Sequence, residues 1–95
     1  MKIYVSADME GTAGVCSWDQ VDARNSTADY FIYQKIMTAE VCAAIDGARK
    51  GGATEFLIND SHGPMRNLLL DELPLAPQHV DQVAHPWRQI GFSVL

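Results

Sequence analysis

Apolar positions along the 95-residue chain fall into three runs with different periods. The first, Ile3 to Ala7, is short and ends at the turn residues Gly11 and Gly14, which reads as a strand. The second, over residues 30–50, repeats at spacings of three and four. Ile32, Ile36, Met37, Val41, Ala44, Ile45 and Ala48 are predicted to share one helix face, with Gln34, Lys35, Asp46 and Lys50 mostly elsewhere. Ser26, Thr27 or Asp29 can cap its start. Arg49 and Lys50 suit the negative end of the helix dipole, and Gly51-Gly52 supply the stop. Thr38 could begin a second helix, so one bent helix or two remains open. The third run, Glu55-Phe56-Leu57-Ile58-Asn59, is continuous rather than alternating, as in a strand buried on both faces.

Strand, helix, strand is a βαβ unit, which predicts parallel strands joined by a right-handed crossover. One helix cannot cover both faces of a parallel pair. The expected class is therefore α/β, a parallel-sheet βαβ unit forming the N-terminal part of a larger three-layer α/β domain. Residues 15–29 read as an irregular loop anchored by Trp18 and Val21, and Leu68-Leu69-Leu70 as the continuation of a short helix. Beyond residue 75, Pro77 and Pro86 punctuate a stretch with no sustained period. An isolated chain of this kind is expected to fold poorly or aggregate, because apolar faces and strand edges stay uncovered.

Composition narrows the partners. With 47% apolar and 20% charged residues, the chain has an ordinary globular composition. A net charge of −5, with Arg49-Lys50 the only adjacent basic pair, gives no nucleic-acid footprint. No stretch approaches the ~18 apolar residues of a membrane span. The opening Met-Lys-Ile-Tyr-Val lacks a signal-peptide pattern. Without an export signal, the sequon Asn25-Ser26-Thr27 reads as chance, and Cys16 and Cys42 as free thiols in a reducing cytoplasm.

In open parallel sheets, ligands gather at the carboxyl ends of the strands. Asp8 and Glu10 follow the first strand; Asn59, Asp60, Ser61 and His62 follow the second. If the strands are neighbours, both clusters meet at one edge. An extended backbone from 8 to 10 would point Asp8 and Glu10 the same way. Adjacent carboxylates repel unless positive charge lies between them. A divalent metal resolves that repulsion, and His62 adds an imidazole. The resulting O/O/N set is typical of zinc and open to manganese or iron. Gly11 would let the backbone turn just beyond the ligands. The bland reading is that these segments are solvated turns and caps, with His62 a half-exposed turn histidine. Cys16 reads as a packing residue rather than a nucleophile, and Trp18 and Trp87 as core or surface-contact residues. His79 and His85 are assigned no role.

Two families resemble the opening stretch. "VSADMEGT" comes close to the Asp-x-Asp-Gly-Thr motif of haloacid-dehalogenase-like phosphohydrolases, which would make Asp8 a nucleophile and Glu10 an acid/base beside magnesium. However, Glu10 stands where that family prefers Asp, and the second strand ends in a histidine cluster rather than a lone Ser or Thr. Three segments together resemble the zinc-dependent D-aminopeptidase family in order and spacing. They are "SADMEGTAGV" (6–15), "IMTAEVCAAIDGARKGGATE" (36–55) and "LINDSHGPMRNLL" (57–69). Three linked segments are more specific than one five-residue motif.

This second resemblance implies a metallopeptidase that hydrolyses short peptides with an N-terminal D-amino acid, in a cytoplasmic, ring-shaped homo-oligomer. It implies Asp8, Glu10 and His62 as metal ligands, with Asp8 bridging two zinc ions, and no nucleic-acid or membrane partner. Such a family takes the second zinc's His and Glu, and a catalytic His, from sequence further downstream. Residues 1–75 are thus expected to be the N-terminal part of a D-aminopeptidase-like domain. Residues 76–95 are expected to be a tail that is truncated or out of frame, leaving the isolated chain inactive. The alternatives are a phosphohydrolase fragment and a non-catalytic small α/β module.

Overall fold

The two apolar runs pair as their patterns predict. β1 (Lys2–Ala7) and β2 (Glu55–Asp60) lie parallel, in a register that runs from Lys2 opposite Glu55 to Ala7 opposite Asp60. The computed structural model describes residues 1–25, 28–64, 66–74 and 92–94. Between the strands, α1 (Ala28–Lys50) is one continuous helix. Thr38 starts no second helix. It is buried inside α1, where its hydroxyl donates to the Gln34 carbonyl one turn back at 2.7 Å. The helix stops where the glycines predict. Gly52 takes φ 103°, its N–H donates to the Arg49 carbonyl at 3.0 Å, and the Ala53 N–H reaches the Ala48 carbonyl at 2.9 Å. This pair of bonds satisfies carbonyls that the helix end would leave orphaned.

The buried face of α1 is rotated from the predicted one. Tyr30, Gln34, Met37, Thr38, Val41 and Ile45 are buried, whereas Ile32 is 49% exposed and Ala44 is also exposed. Ile36 and Ala48 are half-buried. The reason is that α1 packs on a polar loop as well as on the strands. The Tyr30 hydroxyl donates to Asn67 Oδ1 at 2.7 Å, and Gln34 Nε2 donates to the Asn67 carbonyl at 3.1 Å. Buried polar side chains are tolerated where their bonds are made. An apolar-periodicity pattern cannot register such a contact.

Phe56 and Ile58 of β2, each 1% exposed, pack with Met37, Val41 and Ile45 of α1 and with Met9 and Leu68. Full burial of such side chains stabilises by roughly 1.5–3 kcal/mol each. β1 is one-sided, with Tyr4 56% exposed and Ile3 and Val5 half-buried. A third strand, β3 (Phe92–Val94), pairs antiparallel with β2, with Asn59 opposite Phe92 and Leu57 opposite Val94. β2 is therefore central in the order β1-β2-β3. Three residues are too few to show a period, so no strand was legible there. His79, His85 and Trp87 lie outside the described residues, as do Ser26 and Thr27 of the sequon.

Two connections differ from the prediction. The segment after residue 15 forms 3-10 turns at Trp18–Gln20 and Ala23–Asn25 rather than an irregular loop. Ser17 and Gln20 form a reciprocal cap on the first: Ser17 Oγ accepts from the Asp19 N–H, and Gln20 Oε1 accepts from the Ser17 N–H at 2.8 Å. Val21 anchors this segment at 3% exposure, but Trp18 does not; it is 77% exposed. In place of a short helix continuing from Leu68, a 3-10 turn spans Leu70–Glu72. No helix among the described residues is long and apolar enough to cross a membrane.

Candidate metal centre

Parallel pairing sends the chain out of β1 and β2 at the same sheet edge. After β1, Asp8 is still extended (φ −130°, ψ 131°), and a single 3-10 turn follows over Met9–Gly11. The turn is closed by the Gly11 N–H to the Asp8 carbonyl and the Thr12 N–H to the Met9 carbonyl, both at 3.0 Å. An extended 8–10 segment was expected to align the two carboxylates; a turn does so instead. It drives Met9 inward to 0% exposure and leaves its neighbours Asp8 and Glu10 on the surface. Gly11 is not where the backbone needs glycine. Gly14 is, with φ 90° and space for a Cβ only 3.3 Å from Tyr33 Oη. Helix α1 holds this loop through the Tyr33 hydroxyl, which donates to the Gly14 carbonyl at 3.2 Å, and through Glu40, whose Oε1 accepts from the Ala13 N–H at 2.9 Å.

After β2 the polar run divides its labour. Asp60 is 2% exposed, and its carboxylate accepts from the N–H groups of Asn67 (2.7 Å) and Leu68 (2.8 Å) and from Asn67 Nδ2 (2.8 Å). It is consumed in shaping its own loop. Ser61 stitches the two strand ends together, donating from N–H and Oγ to the Ala7 carbonyl at 2.9 and 2.8 Å. His62 alone of this run reaches across to the carboxylates. Its Nδ1 lies 3.1 Å from both Asp8 Oδ1 and Glu10 Oε2.

The ring's tautomer follows from its other nitrogen. Nε2 lies 2.6 Å from the Val21 carbonyl, which can only accept, so Nε2 carries a hydrogen. Nδ1 then presents either a second proton or a lone pair to two anionic oxygens. The first makes the ring cationic and pairs it with both carboxylates; the second leaves three donor atoms facing one point, which only a bound cation relieves. The ligand atoms of Asp8, Glu10 and His62 lie within 4.8 Å of one another. The His62 side chain is 11% exposed, against 60% for Asp8 and 40% for Glu10. An O/O/N donor set, with the histidine's far nitrogen fixed on a backbone carbonyl, fits a divalent metal. The electrostatics agree. Burial pushes the His62 pKa down, but the Val21 carbonyl, Glu10 and Asp8 outweigh it and raise the pKa above its ordinary value. The Asp8 carboxyl is held below its ordinary value, first by its hydrogen bond with Glu10 and then by His62, with burial opposing.

A cavity of about 620 Å³ opens beside this cluster, lined by Glu10, Trp18, Val21, Arg24, His62 and Pro64 among others. The exposed Trp18 is one of its walls, not a core residue. Arg24 stands at the same cavity, forked onto Asp22 at 3.1 Å. Both cysteines are free, as expected, but Cys16 is exposed rather than packed. Sequence reasoning missed three contributors: the Val21 carbonyl, the Asp22–Arg24 pair and Asn67. A backbone carbonyl leaves no trace in a residue pattern. Asn67 did lie inside the third resembling segment, which was its one signal.

Among known proteins, residues 1–89 match the family model described as D-aminopeptidase. A D-aminopeptidase of Bacillus subtilis (strain 168) is 41% identical over 73 residues, which are 77% of this chain and 26% of that protein. A solved structure, "Zn-dependent D-aminopeptidase DppA from Bacillus subtilis, a self-compartmentalizing protease", matches with a TM-score of 0.71 at 39% identity. It covers 81% of this chain and 27% of that one. The chain thus spans about a quarter of the length of these relatives. The family match runs past residue 76, into the stretch where no pattern was legible. None of these matches supports the phosphohydrolase alternative. The chain belongs to the D-aminopeptidase family.

Proposed function

We propose that the chain supplies the Asp8, Glu10 and His62 arm of a zinc-dependent aminopeptidase that removes D-amino acids from the N-terminus of short peptides. Residues 1–75 would form the N-terminal part of that enzyme's domain, and the assembly would be a homo-oligomer, in keeping with the self-compartmentalizing relative. The observation that carries the reading is the convergence of three donors from two strand ends, all aimed at one point beside a cavity.

A zinc ion held there would supply Lewis acidity, polarising a peptide carbonyl and lowering the pKa of water. The chain's own residues prepare for it. The Val21 carbonyl fixes the His62 tautomer and keeps Nδ1 turned towards the carboxylates. Met9, fully buried in the core, anchors the turn that carries Asp8 and Glu10. The adjoining cavity is large enough to admit a short peptide. A second zinc's ligands and a catalytic histidine would come from further sequence of the family type.

Two measurements test this. The purified chain should bind zinc, and Asp8→Ala should abolish that binding. A longer product, read from the continuous downstream frame, should release D-alanine from a D-alanyl peptide in a metal-dependent way. A wild-type chain that binds no transition metal, yet is trapped by beryllofluoride at Asp8, would sink the reading in favour of phosphoryl chemistry.

A further inference from the structure

Asn67 is 0% exposed and joins three parts of the molecule. Its side-chain amide uses both hydrogens, one on Asp60 Oδ1 at 2.8 Å and one on the His62 carbonyl at 2.5 Å. Its Oδ1 accepts from the Tyr30 hydroxyl at 2.7 Å. Its backbone N–H goes to Asp60 Oδ2 at 2.7 Å, and its carbonyl accepts from Gln34 Nε2 at 3.1 Å. Helix α1, the end of β2 and the main chain of His62 are thereby tied to one side chain. Turning the amide over would aim its oxygen at two acceptors, the Asp60 carboxylate and the His62 carbonyl, so a single orientation is allowed.

We infer that Asn67 is a positioning residue for the metal centre. It fixes the His62 backbone, so that the ring, held at Nε2 by Val21, keeps Nδ1 on Asp8 and Glu10. Asn67 has no bond to any of the three donor atoms; it acts through His62. Groups that orient a ligating histidine govern metal affinity although they never touch the metal. The inference rests on the metal reading of the Asp8, Glu10 and His62 cluster. It is separable from a purely structural role, in which Asn67 would merely glue α1 to the loop and its loss would change stability alone.

The test uses the full 95-residue chain and two substitutions. Asn67→Asp keeps the shape but turns a donor into an acceptor facing Asp60 and the His62 carbonyl. Tyr30→Phe removes only the bond from α1. Zinc affinity is read by competition with a chromophoric chelator. The His62 ring is read by nitrogen-15 NMR of the metal-free chain. Asn67→Asp is expected to weaken zinc binding roughly 10–100-fold and to lose the protected His62 Nε2–H signal. Tyr30→Phe is expected to keep that signal and weaken zinc less. If Asn67→Asp retains its helical circular dichroism, binds zinc within about twofold of wild type and keeps the Nε2–H signal, the inference is overturned.

If Asn67→Asp does not fold, Tyr30→Phe decides. A folded variant about threefold or more weaker supports the inference; unchanged affinity overturns it. Failure of the wild-type chain to bind zinc would bring down the metal reading instead. The His62 Nε2–H comparison between wild type and variant would still decide the positioning role.

Discussion

The turn after β1 and the loop after β2 leave the same sheet edge, and an aspartate stands at each exit. Asp60 closes β2 opposite Ala7, and Asp8 follows Ala7 directly. Their fates are opposite. Asp60 is 2% exposed, its oxygens taken up by two backbone N–H groups and an amide. The Asp8 side chain is 60% exposed and faces another carboxylate and an imidazole. Residue type does not separate scaffold from site here; hydrogen-bond satisfaction does. A carboxylate whose lone pairs are filled by the main chain shapes a loop, and one left facing its own kind is available to a cation.

Four experiments would break or sharpen that contrast. Asp60→Ala leaves three buried donors without an acceptor, so it should destabilise the fold by about 3 kcal/mol or more in urea unfolding. A loss below about 1 kcal/mol would mean that Asp60 is not the scaffold member of the pair. Asp8→Ala should do the reverse. Zinc affinity should fall by about 100-fold or more, while metal-free stability moves by no more than about 0.5 kcal/mol, as befits an exposed charge.

Glycine substitutions compare the two loops through their backbones. Gly14→Ala, at φ 90° and 3.3 Å from Tyr33 Oη, should cost about 2 kcal/mol by thermal unfolding. Gly63→Ala, at φ 46° with open space around it, should cost about 1 kcal/mol. Equal costs would show that the loop after β1 is no more tightly held than the loop after β2.

The smallest effect is on pH dependence. The raised pKa of metal-free His62 adds stability that is fully present below its ordinary value of 6.5 and is lost as pH rises through the raised value. The lowered pKa of Asp8 adds stability that is present above 3.8 and is lost as pH falls through the lowered value. Both contributions coexist between about pH 4 and 6, so the metal-free chain should have a shallow stability maximum there. Asp8→Ala should flatten it, in unfolding midpoints measured across pH. Zinc affinity should run the other way, falling as acid puts a proton on Nδ1. A pH-independent affinity would remove Nδ1 from the ligand set.

Much of this arrangement was legible in the sequence. The two strands, their parallel pairing and the helix stop at Gly51-Gly52 followed from period and turn chemistry. So did the convergence of Asp8, Glu10 and His62, because parallel strands deliver their ends to one edge. What escaped was set by partners distant in sequence. The apolar period places Gln34 off the buried face, because nothing local announces that Asn67 will arrive to bond it. Trp18 was read as an anchor because large aromatics usually are; whether one lines a cavity is decided in three dimensions. The mechanism that aligns the carboxylates was also wrong in detail, since extended and 3-10 backbones can both put residues 8 and 10 on one side.

Met9 joins two ledgers that most proteins keep separate. It sits between two metal-ligand candidates and belongs wholly to the interior. A change at Met9 would therefore be felt at once as altered packing and as altered spacing of two charges. Such a position offers selection no way to tune the site without touching the core. The same coupling extends outward to Val21 and Asn67, which bond His62 and are themselves buried.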